Sequence, residues 1–165
     1  MADAIAKGVY NFKQIRDGKV IDSWTVDNIV PTEGLNYLLN AGYKNAPQMS
    51  NWYIGLFSGN YTPVSTDTAS TFSQTATEVT AGYNENTRQL ANFSSSTSAY
   101  IDNSSSLATF TFNNTVTVYG SFISSSSAKG STTGVLGSAA RFPSAKSMTS
   151  GDLLQVTYAL SLTSA

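Results

Sequence analysis

The chain has 165 residues, 41% hydrophobic and 12% aromatic, with 12% charged residues, a formal net charge of -1 and neither histidine nor cysteine. That length suits one domain that buries about two-thirds of its unfolded surface without disulfides or metal. The missing residues remove the side chain that titrates near neutrality, the best thiolate nucleophile and the ligands favoured by zinc, copper and iron. No basic stripe marks a nucleic-acid partner.

Met1 to Gly8 lacks a basic start followed by an apolar run, and no stretch approaches the ~18 apolar residues that span a membrane. Both features predict synthesis in a cytoplasm and no membrane partner. Residues 9–15 and 19–26 alternate around Arg16-Asp17-Gly18, and Asp-Gly between two such runs predicts a hairpin because its turn needs positive φ. Tyr10 and Phe12 share one face of the first strand; Val20, Asp22, Trp24 and Val26 share one face of the second.

A short helix is predicted over about 32–41. Pro31 and Thr32 supply its start, Glu33 complements its positive end, and Leu35, Leu38 and Leu39 form one apolar stripe. Gly42 is placed to take a left-handed C-terminal position. Gly34 inside the helix costs about 1 kcal/mol against alanine, which points to close backbone packing. Trp52-Tyr-Ile-Gly-Leu-Phe57 reads as a central strand buried on both faces. From 58 to 86 the chain turns to Thr, Ser, Asn, Pro and Gly, the signature of a long loop excursion pinned by Tyr61, Val64, Phe72 and Tyr83.

Strands return at 88–93 and at 107–112, where Ala108, Phe110 and Phe112 oppose threonines. Asn113-Asn114 reads as a turn, with 115–123 pairing back as the antiparallel neighbour of 107–112. Three serine tracts, 94–96, 104–106 and 124–127, end strands as loops. The run 135–142 is rich in small residues and is followed by Pro143, which cannot donate to a central ladder. Residues 153–162 close the chain as a long strand with Leu154, Val156, Tyr158, Leu160 and Leu162 on one face. Seven or eight strands and one helix predict a mainly β fold: a single antiparallel β-sandwich or jelly roll over 1–165.

Chemistry is sparse. A serine nucleophile has no histidine base and no Ser-x-x-Lys in a fitting context. The ten acids (Asp3, Asp17, Asp22, Asp27, Glu33, Asp67, Glu78, Glu85, Asp102 and Asp152) are scattered and read as turn and cap residues. Asp102-Asn103 is too thin a cluster for calcium, and sequons at Asn60, Asn92, Asn103 and Asn113 are expected by chance in so Ser/Thr-rich a chain. No catalytic, cofactor or metal residue is assigned, and the chain is not read as an enzyme. Trp24, Trp52, Tyr53, Tyr61, Tyr83 and Tyr119 could form a sugar platform, but their strand patterns favour the core. Hydroxyl and amide surfaces are cheaper to desolvate than charged ones, so broad faces are suited to burial against another protein.

Taken in order, Asp17-Gly-Lys19, Asn28 to Leu39, Trp52 to Phe57, Val118-Tyr-Gly-Ser-Phe-Ile123, Ala139-Ala-Arg-Phe142 and Gly151 to Tyr158 resemble a group of small tailed-bacteriophage virion proteins of the capsid cement or decoration type. The resemblance spans nearly the whole chain. It implies a β-rich subunit on the capsid exterior of the virion that ties neighbouring copies of the major capsid protein together, with no catalytic residues to carry over. Low charge and the aromatic-bearing hairpin add the expectation of a homo-oligomer, a dimer or trimer. The alternative in the same setting is a tail, fibre or receptor-binding component that turns its aromatics to host carbohydrate, although no shaft-like repeat is visible.

Overall fold

The computed structural model of the protein describes residues 3–164. Strands β1 (Ala4–Arg16) and β2 (Lys19–Asp27) form the expected hairpin, with Asp17 at φ 50° and Gly18 at φ 73° in the turn. Along β1 the burial alternates, Tyr10, Phe12 and Gln14 inward and Asn11 and Lys13 outward, as a strand with one wet face must.

The remaining elements are α1 (Thr32–Tyr43), β3 (Tyr53–Phe57), α2 (Ala69–Thr75), β4 (Gln89–Leu90), β5 (Tyr100–Asp102), β6 (Ala108–Thr111), β7 (Val116–Ser124), β8 (Leu136–Met148) and β9 (Leu153–Ser164). They build two antiparallel sheets. One runs β2-β1-β9, with β5 and β6 sharing the far side of β9; the other runs β4-β3-β7-β8. The fold is therefore mainly β and sandwich-like, as the strand periodicities predict.

The sheets close on one core. Tyr10, Phe12, Phe110, Leu154 and Val156 from the first sheet meet Ile54, Leu56, Val118, Ile123 and Phe142 from the second. β3 and β7 are buried on their other face too, where α2 presses Phe72 and Ala76 onto Phe57, Phe122, Leu136 and Ala139. This second layer explains why 52–57 reads as apolar without alternation.

Two cross-strand pairs between β3 and β7 each set a glycine against a phenylalanine, Gly55 with Phe122 and Phe57 with Gly120. In each pair the ring lies over the glycine, so that an added Cβ would run into it. The two rings can lie flat under α2 only because the opposing positions carry no side chain.

Three local expectations change. Residues 107–112 and 115–123 are consecutive but not neighbours: β6 pairs with β9, while β7 pairs with β3 and β8. The link at Asn113-Asn114 thus crosses between sheets, with the Asn113 amide donating to Gly82 O (3.0 Å) and the Phe112 amide to Asp152 O (2.9 Å). The excursion at 58–86 contains α2, a helix of serines and threonines with no side-chain cap of its own. Its first N–H, at Ala69, is bound instead by the Glu33 carboxylate of α1 (2.8 Å), which also accepts from Leu136 N (2.6 Å). Finally, α1 extends to Tyr43, and Asn45 at φ 55° takes the left-handed conformation in place of Gly42.

Gly34 is the buried residue of α1, and an added Cβ would lie 2.8 Å from Gly137 O and 2.9 Å from Leu136 O. The helix backbone rests directly on the start of β8, as the sequence suggests. Pro143 falls within β8, an edge strand, where the β7 register breaks between Val118 and Gly120 and four residues, Phe142–Ala145, bulge opposite Tyr119.

Gly120→Ala sets a Cβ against both the Phe57 ring and the Ala140 carbonyl oxygen and should lower stability by about 1–3 kcal/mol, whereas Phe110→Ala, which empties a fully buried site, should lower it by about 3–5 kcal/mol. Urea denaturation gives both values. A Gly120→Ala loss below about 0.5 kcal/mol would mean that the ring and the β8 backbone both yield freely.

Candidate functional site

The polar groups of this charge-poor chain are spent mainly on holding loops. Glu78 and Arg88 form a bidentate pair, Nε to Oε1 at 2.8 Å and Nη2 to Oε2 at 2.7 Å, with both side chains 1% exposed. Arg88 also donates to Ser126 O (3.0 Å) and Ser131 O (3.2 Å), its guanidinium lies 5.0 Å from the Phe122 ring centre, and Glu78 accepts from Gly130 N (2.9 Å). Buried charge is tolerated here because the two groups pair bidentately and take further backbone partners. The serine tract 124–127 is fixed by this pair, its carbonyls serving as acceptors.

A second node sits in the β8–β9 turn. Asp152 is fully buried and accepts from Arg16 Nε (2.7 Å) and Nη2 (2.8 Å), Gln14 Nε2 (2.8 Å) and Thr149 N (2.9 Å). The Arg16 hydrogen bonds, helped by the Thr149 and Gln14 donors against the pull of burial, hold its carboxyl well below the usual carboxylate range.

Five further acids are likewise engaged. Asp67 accepts from Tyr61 Oη (2.6 Å) and Val64 N (2.8 Å), Asp102 from Ser104 N (3.0 Å) and Oγ (2.7 Å), and Glu85 from Thr111 N. Glu33 holds the starts of α2 and β8, and Asp22 pairs with Lys146 at 2.7 Å. Asp3, Asp17 and Asp27 are exposed. Among the described residues no group of three or more Asp, Glu, His or Cys is placed to hold a metal ion, and no helix is long and apolar enough to cross a membrane.

The aromatics do not assemble into a sugar platform. Trp24 stacks on Phe12 and meets Phe142 edge-on, both at 5.2 Å, beneath the Lys146 ammonium; Trp52 packs against Tyr37, and Tyr61 and Tyr83 against Phe72 and Phe110. Tyr53 and Tyr119 are half-buried in strands. Of the four sequons, Asn103 is buried, whereas Asn60, Asn92 and Asn113 are exposed.

Helix α1 carries the largest departure from expectation. The leucines read as one apolar stripe divide between two faces: Leu35 is 39% and Leu39 58% exposed, and Tyr43, one further turn on, is 86% exposed. Spacing of four puts the three on one outward ridge. Leu38 faces the other way, into a cleft of about 100 Å³ where α1 crosses the open end of the sandwich, together with Val30, Trp52, Ile101, Tyr158 and Leu160. From Gly34 to Tyr43 the helix has no charged side chain. Beside it runs a wider groove of about 590 Å³ bordered by Asn36, Asn40, Pro47, Met49 and Thr66. The sequence shows the helical spacing, but the faces of α1 are decided by β8, which meets the helix at Gly34.

No protein-family model matches the chain, and no curated protein matches it.

Two tests follow from the charged nodes. Glu78→Gln should lower stability by about 3–5 kcal/mol by stranding Arg88, while the double replacement Glu78→Leu with Arg88→Met should lose less than the single change. With no histidine or cysteine, stability should be nearly flat from about pH 5 to pH 9. It falls in acid as pH drops below the unfolded aspartate value near 3.9, since folded Asp152 resists protonation. It falls again above about pH 10, because burial raises Tyr10 and pushes Tyr158 up to about 12, so the folded state keeps protons that the unfolded state releases. Melting temperatures across pH 2–12 would show this plateau, and Asp152→Asn should soften its acid edge.

Proposed function

We propose that the protein is a structural subunit that works by surface contact: a capsid decoration or cement protein bound to the outside of a tailed-phage head. The observation that carries the reading is the outward ridge of α1, Leu35, Leu39 and Tyr43, on a helix without charge from Gly34 to Tyr43. An apolar helix face on a chain whose acids and arginines are largely tied into its own loops is suited to pack against another protein. The ordered blocks that resemble small phage virion proteins support the major capsid protein as that partner.

The mechanism is mechanical. A contact of about 800 Å² per partner can be only micromolar, so a subunit that bridges two or three capsid proteins, or docks as a dimer or trimer, becomes effectively permanent. A ridge made without ion pairs makes this binding insensitive to salt. The rival role, carbohydrate binding at the tail, has lost the exposed aromatic array that would favour it.

The test combines copy number with heat release. Purified virions should carry hundreds of copies on the head, and particles lacking the protein should lose DNA at lower temperature. Leu39→Asp should strip the protein from heads while shifting its own Tm little, since Leu39 is more than half exposed. A few copies confined to the tail, or equal heat release with and without the protein, would reject the reading.

A further inference from the structure

The cleft beneath α1 belongs to neither the ridge nor the charged nodes. Its floor is the sandwich core, Ile123 and Tyr158, each 3% exposed, and its walls are Leu38, Ile101, Leu160 and the Trp52 ring. Both sheets and the helix contribute, and the lining side chains present almost wholly carbon.

Two bordering positions carry no side chain to fill it. On β8 the adjoining residue is Gly137, where an added Cβ would lie 2.9 Å from the Trp52 ring and 3.1 Å from Ile123. On α1 the adjoining residue is Gly34, pressed onto β8 backbone. Helix and strand are thus fixed at their closest approach, and the space beside that contact stays open. Tyr37 braces the rim, edge-on to Trp52 at 5.3 Å with its hydroxyl accepting from Met49 N at 2.7 Å.

We infer that this cleft is a binding pocket for a small uncharged hydrocarbon-like molecule, an aromatic ring or branched aliphatic of about benzene size. The size follows from the volume: a cavity of about 150 Å³ lined by Leu, Ile and Phe stays dry and takes benzene or xenon, and here about 100 Å³ lies against an open mouth. The class follows from the walls, which would strand a charge without a partner. Entry needs no unfolding, because the cleft is open at its mouth. This inference stands apart from the capsid role and does not depend on it.

Benzene titrated into methyl-labelled protein tests it. The methyl signals of Leu38, Ile101 and Leu160 should shift and saturate, those of the exposed Leu162 should not, and benzoate should shift none of them. Benzene at ten times half-saturation should raise Tm by roughly 3–6 °C. Leu38→Phe and Ile101→Phe, both at partly exposed positions, should each weaken benzene at least tenfold. Shifts that grow linearly without saturating, that appear equally at Leu162, or that survive both variants in folded protein would overturn the inference.

Discussion

A buried central strand has to find partners for the N–H and C=O groups on both of its edges, and β9 is where this fold meets that demand. One edge is satisfied throughout by β1. The other is shared between β6, which covers Leu153–Val156, and β5, which covers Ala159–Ser161, and between them no strand is present. Asn103 fills the interval. Its Oδ1 accepts from Tyr158 N at 2.7 Å, its Nδ2 donates to Val156 O at 3.2 Å, and its own N–H points at Tyr158 O. One side-chain amide imitates a residue of ladder, so β5 and β6 can be short and joined by a loop without leaving orphaned groups in the core.

The scarcity of charge is consistent with how the loops are anchored. Glu78 and Arg88 lie ten residues apart, yet together they bind the 126–131 loop, and Asp152 ties the β8–β9 turn to β1. A few buried charges, each hydrogen-bonded several times, organise segments that would otherwise have little but serine and glycine to define them. The surface is then left to hydroxyls, amides and the apolar ridge of α1, a composition that associates through shape more than through field.

Much of this architecture could be read in the chain because it is local. The Asp17-Gly18 turn, the alternation at Ala108–Phe112 and Leu154–Tyr158, and the doubly buried run at Ile54–Phe57 each express a period or a turn requirement within a few residues. What escaped depends on partners distant in sequence. Asn113-Asn114 can end a hairpin or cross between sheets, and only the pairing of β6 with β9 decides between them. Helix α2 has poor intrinsic propensity and exists because Phe72 enters a core made by β3 and β7 and because Glu33 binds its first N–H. The exposure of Leu35 and Leu39 follows from the seating of Gly34 on β8, which no spacing of leucines reveals. Arg88 and Asn103 carried no signal beyond their type, since hydrogen-bonding networks assembled across more than thirty residues leave no periodic trace.

Asn103 also bears on how the molecule ages. Spontaneous deamidation turns an asparagine into an aspartate, replacing an N–H donor with a second acceptor. At the exposed Asn92 that change adds only a solvated charge. At Asn103 it would turn an oxygen toward the Val156 carbonyl in a site with no access to water, so that part of the sheet would have to open. The fold thus ties the amide on which its central ladder relies to β9 through both its oxygen and its nitrogen. Chemical durability and strand pairing are here one property.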